Sequence, residues 1–241
     1  MNKMDFDIFE KLEQFNSLFR GEYNGTICVV KIGDKIYNEI NALKILKHEN
    51  IISLIHSYEN QEKLYTLFEY FVGKNLYTWR INNMNEDVSQ IVDQMCQAVL
   101  YIHSEDFIHG DLSAGNILVN ENKKIKIVNF QKSCTVDCLE QLTDLSSVYL
   151  SPEILNGTDS RVTKASDLWA LGILIFLVLT GRHPFKGNSK KVMQHRMVNV
   201  KPKYKKYGIR NPYKKQIKNL LKRNPDKRKC LALQNIETEK L

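Results

Sequence analysis

Apolar positions recur at helical spacing in several stretches of the chain. Val88, Ile91, Val92, Met95, Val99, Leu100 and Ile102 form one stripe, and Ala42, Leu43 and Leu46, after Glu39, form a shorter one. The first predicts a helix from about residue 87 that delivers the chain to His103. The second predicts a short helix ended by His48–Ile52. From Ala170 to Leu179 the chain is continuously apolar, but this run is well short of the ~20 residues that cross a bilayer, so it predicts a buried helix. Asn211-Pro212 is read as a helix start, with Asn as cap and Pro in the first turn, ahead of Ile217, Leu220 and Leu221 on one face.

Elsewhere the pattern is that of strands. Residues 6–37 read as short strands and turns: Phe15, Leu18 and Phe19 lead to the turn formers Gly21, Asn24 and Gly25, and Ile27–Ile32 follows as a strand. Leu64–Phe71 is an aromatic-rich strand closed by Gly73. Ile117–Val119 and Ile125–Val128 flank the polar turn Asn120–Lys124 and predict a hairpin, preceded by a polar loop that holds Asp111 and Asn116.

At 241 residues, 43% of them apolar and 26% charged, the chain can form an ordinary core, as one domain or as two lobes around a cleft. Only about ten residues follow Cys230, so no second domain is expected there. Acidic residues in MNKMDFDIFEKLEQ interrupt the place where a signal peptide has its apolar stretch, and an intracellular protein, cytoplasmic or nuclear, is expected. Cys28, Cys96, Cys134, Cys138 and Cys230 show no paired zinc-like spacing and read as free thiols. The formal charge is +8, and Lys201–Lys229 alone holds thirteen Lys or Arg against Asp226. Such a run is most often a solvated face, but it would also suit an acidic partner or nucleic acid.

The chemistry sits in His109-Gly110-Asp111-Leu112-Ser113-Ala114-Gly115-Asn116, followed by Asn129-Phe130-Gln131. These segments resemble the catalytic loop and metal-binding segment of the eukaryotic protein kinase superfamily, His-Arg-Asp-Leu-x-x-x-x-Asn and then Asp-Phe-Gly. Further on, Ser151-Pro152-Glu153 resembles the Ala-Pro-Glu motif, Arg228 matches the late arginine that pairs with its glutamate, and Asp167 matches the aspartate that braces the catalytic loop. The resemblance implies one bilobal α+β domain, with a β-rich N-lobe over about 1–71 and a helical C-lobe over about 72–241.

By the same resemblance Lys31 is the lysine that grips ATP phosphates and Glu39 its helical partner. Phe68 guards the back of the nucleotide cleft, Glu69–Phe71 form the hinge, and Val29 and Leu118 face either side of adenine. Asp111 is the candidate base, while Asn116 and Asn129 are weak candidate metal ligands. The departures are as telling. Lys11, Glu13 and Asn16 fall where the family has three loop glycines, which let backbone N–H groups approach phosphate. Asn129 replaces the metal-binding aspartate, Ser113 the lysine that steadies the transferred phosphate, Gly110 the arginine that reads a phosphorylated activation loop, and Gln131 a glycine. The expectation is a pseudokinase with no cofactor, acting on a protein partner such as an active kinase or that kinase's substrate. A divergent Ser/Thr kinase using ATP with Mg or Mn, and a basic adaptor for nucleic acid or an acidic surface, are the alternatives.

Overall fold

Two residues with positive φ, Asn24 at 51° and Gly25 at 76°, turn β2 (Leu18–Tyr23) back onto β3 (Thr26–Gly33), the geometry a two-residue hairpin loop needs. The computed structural model describes residues 6–12, 17–137, 148–157 and 161–231. With β1 (Phe6–Lys11), β4 (Leu54–Glu59) and β5 (Leu64–Glu69), the hairpin makes a five-stranded antiparallel sheet in the order β1-β2-β3-β5-β4. Gly21 is not a turn residue. It lies inside β2, where a Cβ would overlap the Asp7 carbonyl oxygen and sit 2.9 Å from Val30 Cγ2, so glycine there lets β1 close onto the sheet.

Alternation along the strands sorts the side chains onto two faces. Cys28, Val30, Leu67 and Phe6 form a small cluster on one face, while Val29, Phe68 and Leu54 of the other face pack onto the main core. Helix α1 (Asn38–Ile45) packs on that second side through Ala42 and Leu43. At two turns it is too short to be stable alone, so tertiary burial holds it.

The second lobe is built around α5 (Lys164–Thr180). Thr163 and Ser166 cap its start reciprocally, and Gly181, at φ 66°, ends it. Between these caps it is buried nearly all round, as a helix apolar on every side must be. It is flanked by α2 (Leu76–Asn82), α3 (Ser89–Ser104) and α7 (Tyr213–Leu220), with α4 (Pro152–Leu155) and α6 (Lys190–Asn199) further out. The α3 stripe is buried as expected except for Leu100, which is 39% exposed. Asn211 makes no side-chain cap to α7. Pro212 holds the N-cap position, and the Arg210 and Pro212 carbonyls accept from the first free N–H groups.

A three-stranded sheet, β6 (Lys74–Asn75), β8 (Ile117–Val119) and β9 (Ile125–Ile127), lies between the lobes, and β7 (Phe107–Ile108) pairs with β10 (Cys134–Thr135). β9 ties the lobes together: Ile52 N donates to the Ile127 carbonyl at 3.0 Å and Ile127 N to the Asn50 carbonyl at 2.8 Å. Among the described residues, no helix is long and apolar enough to cross a membrane.

Candidate functional site

The loop between β7 and β8 carries Asp111, and its backbone is fixed before Asp111 is reached. Asp167, buried in the first turn of α5, accepts from His109 N at 2.8 Å, Gly110 N at 3.1 Å and His103 Nε2 at 3.0 Å. The His109 ring continues the brace. Its Nδ1 accepts from Asp111 N at 3.2 Å, and its Nε2 faces the Val128 carbonyl at 3.2 Å. These partners require a neutral ring protonated on Nε2. Burial favours the same form, pulling the His109 pKa below its ordinary value against the nearby Asp167 carboxylate. Gly110, at φ 81°, takes a left-handed conformation that glycine adopts without strain.

Three consecutive N–H groups are thereby satisfied, and Asp111 is presented beside a small cavity shared with Gly110, Leu112 and Tyr149. Asn116 closes the loop, donating from Nδ2 to the Asp111 carbonyl at 2.8 Å and to Asp111 Oδ2 at 3.3 Å.

Across the cleft Lys31 Nζ donates to Glu39 Oε2 at 2.7 Å, so the short connection between β3 and α1 does not prevent the pair from forming. Glu39 Oε1 accepts from Phe130 N at 2.9 Å, and Phe130 is fully buried against the His109 ring. α1, the catalytic loop and the segment after β9 are thus held by one carboxylate and one aromatic ring.

Asn129 sits between them in the left-handed region, φ 66° and ψ 65°, which Asn tolerates better than most residues. Its Oδ1 lies 3.5 Å from Lys31 Nζ and its Nδ2 donates to Asn116 Oδ1 at 3.2 Å. No other orientation of the two amides satisfies every contact, because Lys31 can only donate and Asn116 Nδ2 already points at Asp111. The oxygens a divalent cation would need, those of Asn116 and Asn129, are therefore both engaged by N–H groups. A hard cation also favours carboxylate oxygen over amide oxygen. The donor set does not fit magnesium or manganese as it stands.

The remaining expected residues lie on β3, β5 and β8 and just after β5. Phe68 is buried and paired with Val29 across β5 and β3. Phe71 packs on the main core, and its Cε1 would lie 2.9 Å from a Cβ at Gly73. Leu118, between buried Ile117 and Val119, is half-buried on the opposite face of β8. Glu69 ends β5, and its Oε1 accepts from Ser53 N at 2.7 Å and Lys126 Nζ at 2.6 Å. Burial pushes the Glu69 carboxyl upward, yet the Lys126 and Ser53 donors hold it below its ordinary value. Lys11 ends β1 and is exposed, while Glu13 and Asn16 lie outside the described residues, as do Cys138 and most of the expected activation loop.

Three participants have no warning in the sequence pattern: His103 on Asp167, Lys126 as the strut to Glu69, and the Asn129 amide as a donor. The Glu153–Arg228 pair, by contrast, forms where expected, with Nη1 and Nη2 each 2.6 Å from a different carboxylate oxygen.

The protein kinase domain family matches the chain over residues 26–237. The chain is similar to CaM kinase-like vesicle-associated protein of Danio rerio, 28% identical over 201 residues that cover 76% of this chain and 46% of that protein. It is similar to serine/threonine-protein kinase PLK2 of Rattus norvegicus, 28% identical, covering 82% of this chain and 30% of that protein. With the probable serine/threonine-protein kinase KIN1 homolog of Enterocytozoon bieneusi it shares 32% identity, covering 71% of this chain and 30% of that protein. It thus spans less than half the length of these curated relatives. The Lys31–Glu39 pair, the loop braced by Asp167 and the Glu153–Arg228 lock stand in one fold with that family match, and the chain belongs to the protein kinase family.

Proposed function

We propose that this protein is a pseudokinase, which binds protein partners within the cell and does not transfer phosphate. The observation that carries the proposal is the Asn129–Asn116 amide contact, in which Asn116 Oδ1 accepts from Asn129 Nδ2 while Asn129 Oδ1 faces Lys31. Phosphoryl transfer depends on positioning and on neutralising charge that spreads over the transferred group. Here Asn129 supplies no negative charge to hold a cation, and Ser113 supplies no positive charge to the phosphate. Lys31 still meets phosphate if a nucleotide enters, so the expected residue of nucleotide chemistry is weak ATP binding that metal does not strengthen. The partner would be an active kinase or that kinase's substrate, engaged by surfaces whose shape the Lys31–Glu39–Phe130 contacts fix.

A second reading, a divergent Ser/Thr kinase that uses ATP with Mg or Mn and Asp111 as base, draws on the formed Lys31–Glu39 pair and on relatives named as Ser/Thr kinases. Calorimetric titration with ATP, with and without each metal, separates the two. Wild type is expected to bind weakly and equally in both conditions, while Asn129→Asp gains metal dependence, because a carboxylate facing Asn116 Oδ1 needs a cation between them. Tight, magnesium-dependent binding by wild type would favour the kinase.

A further inference from the structure

From Leu168 to Pro225 the chain contains no acidic residue and fifteen Lys or Arg. Outside that stretch 20 Lys or Arg face 27 Asp or Glu. The positive excess therefore begins well before Lys201, and it includes an open groove in this lobe. The groove measures about 610 Å³ and is lined by His183, Lys186, Gly187, Asn188, Met193 and Arg196.

Its walls are built. Gly187 presses against the first turn of α6, where a Cβ would come within 2.8 Å of Met193 N, so only glycine brings the loop this close without a shift. Arg196 donates from Nη1 to the Lys186 carbonyl, pinning the loop to the helix with one of its five N–H groups. Lys186 and Arg196 are exposed, and among the described residues neither pairs with a carboxylate. His183 links the groove to the catalytic side: its Nε2 faces the Val148 carbonyl at 2.8 Å, and its ring meets Tyr149 edge-on with centroids 6.2 Å apart. Tyr149 in turn lines the cavity beside Asp111.

We propose that the groove between residues 183–188 and α6 binds an acidic polypeptide segment. The cations of its rim attract carboxylates, while Met193 offers an adaptable apolar contact for the intervening side chains. Single-stranded nucleic acid is the less suitable occupant. Its readers stack bases on open aromatic rings, and the lining has no Phe, Tyr or Trp. A segment seated here leads toward Tyr149 and Asp111, so the groove would position a partner over the catalytic loop whether or not phosphate is transferred.

The test is fluorescence anisotropy of the whole chain with a labelled twelve-residue peptide of alternating Glu and Ala, and with its Gln counterpart, at low and physiological salt. The Glu peptide is expected to bind and the Gln peptide not. Lys186→Glu with Arg196→Glu should weaken binding by about tenfold or more, equivalent to roughly 1.4 kcal/mol. Lys205→Glu with Lys206→Glu should change it by less than about threefold. Lys186→Glu alone should still weaken binding in a chain whose melting curve is unchanged, which guards against a folding effect of losing the Arg196 contact. Equal losses from both double variants would overturn the groove in favour of a diffuse basic surface. So would absence of Glu-peptide binding, or displacement of the peptide by a tighter-binding oligouridine. Magnesium-dependent ATP binding would count against the pseudokinase and leave this proposal standing.

Discussion

Asp167 and Asn129 both hold the loop that carries Asp111, the first with a carboxylate and the second with an amide. Around Asp167 the protein supplies every donor the carboxylate needs: two backbone N–H groups and the His103 ring. At position 129 the amide Nδ2 faces Asn116 Oδ1, which is held in place by the hydrogen bonds of its own amide to Asp111, and Oδ1 faces Lys31 Nζ. A carboxylate there would keep Lys31 at one oxygen, but its other oxygen would face the Asn116 acceptor and require a cation between them. An amide accepts from Lys31 and donates to Asn116, and closes the contact with no further ion. The brace and the contact at position 129 are physically separable: the first rests on a buried carboxylate with its own donors, the second on a hydrogen bond between two amides.

The brace should be the costlier side to break. Arg228 uses all five of its N–H donors, on both Glu153 oxygens and on the carbonyls of Ala165, Lys222 and Arg223. Its side chain is fully buried and that of Glu153 is 11% exposed. Arg228→Met strands the carboxylate and three carbonyls, and is expected to lower stability by about 3–5 kcal/mol in urea unfolding. A loss within 1 kcal/mol, on the order of an exposed pair, would show that the lock adds little.

Lys31→Met comes next, with an expected loss of about 1.5–3 kcal/mol for a charge-assisted contact. It also frees Glu39, so hydrogen exchange of the Phe130 amide should accelerate with it. Unchanged exchange would mean that Glu39 holds Phe130 without help from Lys31.

How legible the site is in the sequence follows the same division. Glu153 and Arg228 lie 75 residues apart, yet both belong to motifs with fixed spacing, and Lys31 and Glu39 sit on a strand and a helix whose periodicities are plain. Asn129 is visible as a poor ligand. Its role as a donor depends on the orientation of Asn116, which no local pattern encodes. Lys126 reads as a polar strand residue until β9 is placed beside Glu69. Gly21 misleads for a similar reason: glycine signals a turn in isolation, and only the approach of β1 shows why a strand needs it. Leu100 fits the helical stripe by composition while lying at its exposed edge.

Acidification should reveal a smaller effect. Burial lowers the pKa of His48, His109 and His183 below their ordinary 6.5. The unfolded chain therefore binds protons first, and stability is lost as pH falls from about 6.5 toward the lower folded values. Urea midpoints should decline between about pH 7 and 5, before most carboxylates titrate. A flat profile over that range would contradict neutral buried rings. Least of all, reversing Lys205 and Lys206 to Glu should move stability by under about 0.5 kcal/mol, since both are exposed.

The central claim is tested most directly by phosphate transfer from radiolabelled ATP, comparing wild type with Asp111→Ala in the presence of magnesium or manganese and with folding of each verified by its melting curve. The amide-closed site predicts that the two proteins label themselves and added protein substrates equally, at background. Labelling by wild type that Asp111→Ala lacks would establish a working base at Asp111 and contradict the pseudokinase account.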